Sequence, residues 1–231
     1  LKAQSMSDWE AVVVDDGSTD GTAAIIGRLS DVDPRIRHIQ GPGEGASAAR
    51  NRGMAAAHGQ WLAFLDADDW VDPRFLEKML AALEQATDYR VAYCMFRRVM
   101  PDGSMTDGYA YPRVHDNPFA MFARTCAAVT VNCLLIDRQM VIDAGGFDTE
   151  LRTCEDWDLW QRLSRAGARW LMVDEALSYY RASAGSLTRD TSQMLEDGYK
   201  VIHRAFGPDP RVAQPLPAYA DGLDDAHGLS A

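Results

Sequence analysis

Two short apolar runs, each ending in a cluster of carboxylates, constrain this chain more than any other feature. The first is Trp9-Glu10-Ala11-Val12-Val13-Val14-Asp15-Asp16-Gly17-Ser18-Thr19-Asp20-Gly21-Thr22. The second, about fifty positions later, is Trp61-Leu62-Ala63-Phe64-Leu65-Asp66-Ala67-Asp68-Asp69. Both read as buried strands that end in acid. In an open α/β sheet, ligands bind beyond the carboxyl ends of the strands. Two such ends on neighbouring strands would crowd several carboxylates around one crevice. A divalent cation and a ligand with matching donors would relieve their repulsion.

The rest of the chain fits that class. Strand 10–14 leads through a Gly/Ser/Thr/Asp turn into a helix at 22–29, with Asp20 or Thr22 as the cap. A short strand at 35–40 precedes the loop Gly41-Pro42-Gly43-Glu44-Gly45, a composition that no regular element tolerates. Residues 47–58 read as an alanine-rich helix stopped by Gly59. Strand 61–65 follows, then a helix opened by Pro73 and running to about 85. Strands alternating with helices predict a mostly parallel sheet with helices on both faces.

The second half changes character. Segments 90–100 and 105–111 flank Pro101-Asp102-Gly103-Ser104 and read as a hairpin. A strand at 129–136, a short helix at 138–144, an amphipathic helix at 156–166, a strand at 169–173 and a helix at 193–206 complete a domain over residues 1–206. From 207 to 231 proline, glycine, alanine and aspartate dominate, which predicts a flexible tail.

Composition narrows the partners. The 231 residues carry a formal net charge of −11. That argues against nucleic acid, because phosphate backbones need a basic face. It leaves room for a phosphate-bearing small ligand neutralised by a metal or one arginine. Cys94, Cys126, Cys133 and Cys154 form no C-x-x-C pair and read as free thiols of a reducing compartment. No apolar run reaches the roughly 18 residues of a membrane span.

Five pieces in order and register carry a resemblance. They are Val13-Val14-Asp15-Asp16-Gly17-Ser18-Thr19-Asp20-Gly21-Thr22, Gly45-Ala46-Ser47-Ala48-Ala49-Arg50-Asn51-Arg52-Gly53, Phe64-Leu65-Asp66-Ala67-Asp68-Asp69, Gly145-Gly146-Phe147-Asp148 and Glu155-Asp156-Trp157-Asp158-Leu159-Trp160. With these the chain resembles a family 2 glycosyltransferase of the GT-A fold, from its first residues to about residue 189. The resemblance implies inverting, metal-assisted transfer of a sugar from a nucleotide-diphosphate sugar, with UDP first in line, to a hydroxyl acceptor. It places that chemistry in glycan or cell-surface polysaccharide synthesis, with a glycan, lipid-linked or protein acceptor. It implies a cytoplasmic domain, or one at the cytoplasmic face of a membrane, attached peripherally through parts outside this sequence. Family members open with a further strand, and residues 1–7 read as the tail of the helix after it. On that reading the fragment is weakly active or inactive. The alternative is a truncated or degenerate module that binds nucleotide sugar without turnover. Nucleotidyl transfer would need a glycine-rich, basic signature that is absent.

The resemblance also assigns roles, each with a competing structural reading. Asp68 would coordinate Mn²⁺ or Mg²⁺, and Asp66 would reach the ribose or a metal-bound water. Alternation along an extended segment would point both the same way, although an acidic loop before Pro73 reads equally as a helix start. Asp15 and Asp16 would read the nucleobase, or build an Asx-turn in which Asp16, Ser18 and Thr19 take part. Arg50 and Asn51 would lie over the nucleotide, or stand on the surface of an alanine-rich helix. Asp156, with Glu155 second, would be the general base, or both would serve the helix dipole. Trp157 and Trp160 would line an acceptor site or pack in the core. Arg181 would contact phosphate. Ser183 stands where many members have histidine, which puts a last metal contact in doubt. His38, His58, His115 and His203 show no ligand spacing.

Overall fold

The computed structural model describes residues 1–107, 113–114, 117–126, 129–182 and 190–224. Its strands form two sheets. β1 (Ala11–Asp15) and β2 (Ile36–Gln40) pair in parallel over five residues. The second sheet has the order β3-β6-β5-β7-β4. Its members are β3 (Trp61–Leu62), β4 (Trp70–Val71), β5 (Val91–Val99), β6 (Leu134–Asp137) and β7 (Trp170–Arg181). β5 and β7 run parallel through nine residue pairs. The short ladders β3–β6, β5–β6 and β4–β7 are antiparallel. The α/β class therefore holds. Parallel pairing is confined to the two long ladders, and the short edges reverse.

The core follows from side-chain periodicity. Val91, Ala92, Tyr93 and Cys94 of β5 are at most 1% exposed, since neighbours flank both edges and helices cover the strand. Helix α3 (Phe75–Gln85) puts Phe75, Met79 and Leu83 against β5, β6 and β7. Their spacing of four is one helical face. Each such side chain contributes about 1.5–3 kcal/mol on burial. Helices α1 (Thr22–Val32) and α2 (Ala46–Ala56) pack on the β1–β2 pair. Helices α4 (Pro118–Phe122) and α5 (Arg138–Asp143) pack on α6 (Glu155–Arg165), and α7 (Thr191–Arg204) is the last α-helix among the described residues.

Several local expectations change. The apolar run at 61–65 pairs only at Trp61 and Leu62, because the following residues leave the sheet to form the acidic turn. The strand expected at 129–136 begins as a 3₁₀ turn, Val131–Cys133. The turn at 101–104 forms, with Val99 bridged to Met105; the rest of its expected second strand falls largely outside the described residues. Residues 1–7 are a turn and an extended arm, not a helix tail. Gln4 donates to the Asp72 carbonyl at 2.7 Å and Ser5 N–H to the Pro73 carbonyl at 2.7 Å.

The flexible tail expected from residue 207 is corrected as far as residue 224. Asp158 of α6 is fully buried and binds Arg162, Arg204 and Arg211. Arg211 also reaches Asp148 at 2.9 Å and Asp209 at 2.6 Å. Val212 is 5% exposed, and Leu216 N–H donates to the Arg165 carbonyl at 2.9 Å. Composition suggested disorder. A buried carboxylate with charge to share holds the segment down instead.

Among the described residues, no helix is long and apolar enough to cross a membrane. The four cysteines are free.

Candidate functional site

The turn 66–69 sits between β3 and β4. Asp69 N–H donates to the Asp66 carbonyl at 3.1 Å, closing a four-residue turn. The segment is thus not extended, and alternation does not set where Asp66 and Asp68 point. The Asp68 side chain is exposed. Asp69 accepts from Arg181 N–H at 2.7 Å and from the Asn132 amide at 2.8 Å. Burial pushes Asp69 up to about 6, the charges of Asp68 and Asp66 add to this, and the Arg181 hydrogen bond opposes it. Arg181 Nε donates to the Asp68 carbonyl at 2.9 Å, and its guanidinium lies 5.1 Å from the Trp70 ring. The end of β7 is therefore tied across the acidic turn.

Arg50, in the first turns of α2, joins that turn to α6. Its guanidinium donates to Asp66 at 2.8 Å and to Glu155 at 2.6 Å. Burial alone would lower its pKa, but the charges of Asp66 and Glu155 reverse this and raise it. Arg50 stays charged and holds two of the site's acids together. It is not the surface arginine of an alanine-rich helix.

Asp156 makes no ion pair among the described residues. Its one hydrogen bond among them comes from its own neighbour, Trp157 N–H, at 2.7 Å. Burial, then the adjacent Glu155 charge, raises its pKa to about 7, outweighing the Trp157 hydrogen bond and the Arg50 charge. The helix start that would lower the value loses to desolvation. The residue before the pair, Cys154, has φ of 60°. This is the left-handed region, costly for a residue with a Cβ. Asp197, fully buried, accepts from the N–H groups of Arg152 and Thr153 at 3.1 Å. It secures the turn that delivers Glu155 and Asp156. The sequence offered no sign of this, since an acid in a helix middle reads as a solvated face.

At the end of β1 the roles divide differently from expectation. Asp15 is buried and accepts from Ser18 N–H at 2.9 Å, so Asp15 makes the Asx-turn assigned to Asp16. Hydrogen bonds from the Ser18 side chain and then from its N–H lower the Asp15 pKa. Its other oxygen has no hydrogen-bond partner and lies 3.9 Å from His38 Nε2. Asp16 accepts from Gly45 N–H at 2.6 Å and from Gly43 N–H at 3.1 Å, which lowers its pKa. The 41–45 loop folds over this carboxylate. A Cβ on Gly41 would stand 2.3 Å from Asp16 Oδ1. No hydrogen bond or ion pair joins Asp15 or Asp16 to residues 66–69 among the described residues.

Asn51 is tied to Phe147. Its amide donates to the Phe147 carbonyl and accepts from Phe147 N–H, both at 2.8 Å. This clip explains Gly145-Gly146-Phe147-Asp148. Gly146 has φ of 68°, and a Cβ there would stand 2.6 Å from Asn51 Oδ1. We expect Gly146→Ala to destabilise the fold by about 1–3 kcal/mol through strain and a lost clip. A melting temperature equal to the parent's would refute that account. Trp157 and Trp160 are core residues, 5% and 1% exposed. Trp160 donates to the Val129 carbonyl at 2.9 Å. Ser183 and His115 lie outside the described residues.

The acid set bears on a cation. Among the described residues, no three His, Cys, Asp or Glu side chains are placed to hold one. A protein-only cage is therefore not built. Mg²⁺ and Mn²⁺ accept one or two carboxylates when diphosphate oxygens and water complete the shell. Exposed Asp68, beside partly exposed Asp66, fits that shared arrangement.

An α/β sheet with an acidic turn, an arginine-bridged acid pair and a glycine loop over the first strand defines a GT-A-type fold. The S. aureus TarS structures share it. The complex with UDP-GlcNAc superposes with a TM-score of 0.66 at 22% identity, over 86% of this chain and 57% of that one. The complex with UDP superposes with a TM-score of 0.64 at 20% identity, over 97% and 61%. The model of glycosyl transferase family 2 matches residues 1–141, and the chain belongs to that family. It is 28% identical to a chondroitin synthase of Pasteurella multocida (strain Pm70) over 71% of its length and 17% of the synthase's. It is 27% identical to the Bacillus subtilis (strain 168) glycosyltransferase TuaG, provisionally assigned to teichuronic acid biosynthesis, over 80% of this chain and 72% of that one. The chain thus spans about a sixth of the chondroitin synthase and most of TuaG.

Proposed function

We propose that the chain transfers a sugar from a UDP-sugar to a hydroxyl of a glycan acceptor in one inverting displacement. One observation carries this reading: Asp156 is an unpaired acid, its pKa raised to about 7, one residue from the Glu155–Arg50–Asp66 bridge. A general base works best with a pKa near the working pH. Asp156 takes the acceptor hydroxyl proton as that oxygen attacks the anomeric carbon, and the bond from that carbon to the diphosphate breaks. Arg50 keeps Asp66 and Glu155 in place. Because Arg50 pairs with Glu155, Asp156 is the member of the acid pair left to take up the proton.

The donor side uses the remaining acids. Asp68 and Asp66 would hold Mn²⁺ or Mg²⁺, which neutralises charge on the diphosphate. Arg181, anchored through Nε to the acidic turn, places its guanidinium beside the same phosphates. Asp16 meets the nucleobase once the 41–45 loop yields its two N–H groups, and Asp15 fixes the turn beneath. Asn51 leaves the nucleotide set and serves as the clip that positions α2. UDP is favoured because TarS, of the same fold, was solved with UDP and UDP-GlcNAc. A polysaccharide acceptor is favoured by the chondroitin synthase relative.

The test is a panel of nucleotide sugars with Mn²⁺, Mg²⁺ or chelator, read by thermal shift and by release of free nucleotide. UDP with Mn²⁺ is expected to raise the melting temperature of the parent. Asp68→Ala is expected to abolish that rise while leaving the unliganded melting temperature unchanged, because the side chain is exposed. A mutant stabilised as strongly as the parent would remove Asp68 from the metal site.

A further inference from the structure

The outer end of the larger sheet carries a pocket that the donor site does not use. Strand register aligns three residues across it. Arg97 of β5 stands opposite Tyr179 of β7, and Tyr179 stands opposite Trp70 of β4. Residues in one such row share a face of the pleated sheet. The Trp70 and Tyr179 rings are parallel, 7° apart, with centroids at 5.5 Å. With Met105 and Asp72 among their neighbours, they line an open pocket of about 490 Å³.

Its electrostatics are unfinished. Arg97 is half-buried and has no hydrogen-bond or ion-pair partner among the described residues. The nearby carboxylate does not serve it, because Asp72 accepts from Arg74 N–H at 2.9 Å and faces Arg74 Nε at 3.6 Å. Its guanidinium is a charge without a protein acceptor, and its flat fork matches a carboxylate or a phosphate. Paired aromatic rings offer a broad apolar surface with few rotatable bonds, suited to the C–H face of a pyranose. Trp70 follows Asp68 and Asp69 directly in the chain, so the pocket adjoins the acidic turn.

We propose that the Arg97–Tyr179–Trp70 row is a subsite for an anionic acceptor glycan. A sugar ring lies against the aromatic pair and its negative group sits on Arg97. The inference rests on the glycosyl-transfer reading and names the acceptor class that this reading leaves open. Carboxylate of a uronic acid and phosphate of a polyol-phosphate chain supply the same chemistry.

Titration calorimetry with three oligomers of similar length tests it: an alternating uronic acid–N-acetylhexosamine oligomer, a glycerol-phosphate oligomer and a neutral β-glucan. At least one acidic oligomer is expected to bind ten times more tightly than the glucan, and to weaken as salt rises from about 0.05 to 0.5 M. Which acidic oligomer binds identifies the source of the charge. Arg97→Glu and the milder Arg97→Gln are each expected to weaken acidic binding at least tenfold, with melting temperature and UDP affinity retained. Equal binding of acidic and neutral oligomers, no saccharide binding by a parent that binds UDP, or parental affinity in both Arg97 variants would overturn the subsite. Acidic oligomers that bind a parent blind to UDP would instead defeat the donor assignment and keep the subsite.

Discussion

Asp156→Asn is expected to slow transfer about 10²–10⁴-fold, the usual span for a general base, while UDP affinity is retained. The amide keeps the shape and can still accept from Trp157 N–H, but it takes up no proton near neutrality. The parent's kcat/KM should rise with pH along a limb centred near 7, where Asp156 loses its proton, and the variant should lack that limb. Stability should move the other way. The folded pKa of Asp156 is raised above its ordinary value of 3.8 to about 7. The folded chain therefore keeps a proton that the unfolded chain has released, and stability is lost as pH rises from about 4 to about 7. Removing the charge should thus raise the melting temperature at pH 8 and change little at pH 4. A variant that transfers at the parental rate would leave the acid with its helix-start role alone. One that loses stability at pH 8 would deny that the carboxylate is held there against its desolvation.

Asp158→Ala is expected to cost about 3–5 kcal/mol, because it strips one partner from a buried ion network. The Asp158 carboxylate is fully buried and serves Arg162, Arg204 and Arg211. Arg162 is 1% exposed and also donates to the carbonyls of Ala144 and Gly146. Without the acid, a buried guanidinium remains with carbonyls only, and Arg211 keeps Asp148 and Asp209. Against a typical total of about 5–15 kcal/mol, that loss should appear as a large drop in melting temperature. Amide exchange should accelerate at residues 207–224, which Asp158 helps to hold. An Asp158→Ala, Arg211→Ala double variant should lose less than the sum of the two single variants, since both remove the same contact. Strict additivity, or unchanged exchange in that segment, would show that the segment is held by its apolar contacts instead.

Much of the plan was legible along the chain. Apolar strands that end in acid announce an α/β sheet, because backbone pairing and burial act over a few neighbouring residues and leave a local pattern. Helices α1, α2, α3, α6 and α7 were likewise readable from periodicity, Pro73 and Gly59. The five motifs in register were enough to name the family.

Partnership was not legible, because it is settled between residues far apart in sequence. Arg50 meets Glu155 across 105 positions, and that contact separates Glu155, paired with an arginine, from Asp156, pushed up in pKa. Asn51 meets Phe147 across 96, a contact that gives Gly146 its reason. Arg211 meets Asp158 across 53, so a segment whose composition reads as disorder folds down. Even the acidic turn, local as it is, closes on the Asp66 carbonyl rather than staying extended. Residue types and their order determined the chemistry available to this protein. Only the tertiary structure decided which of those charges are paired, because the partners lie far apart in sequence.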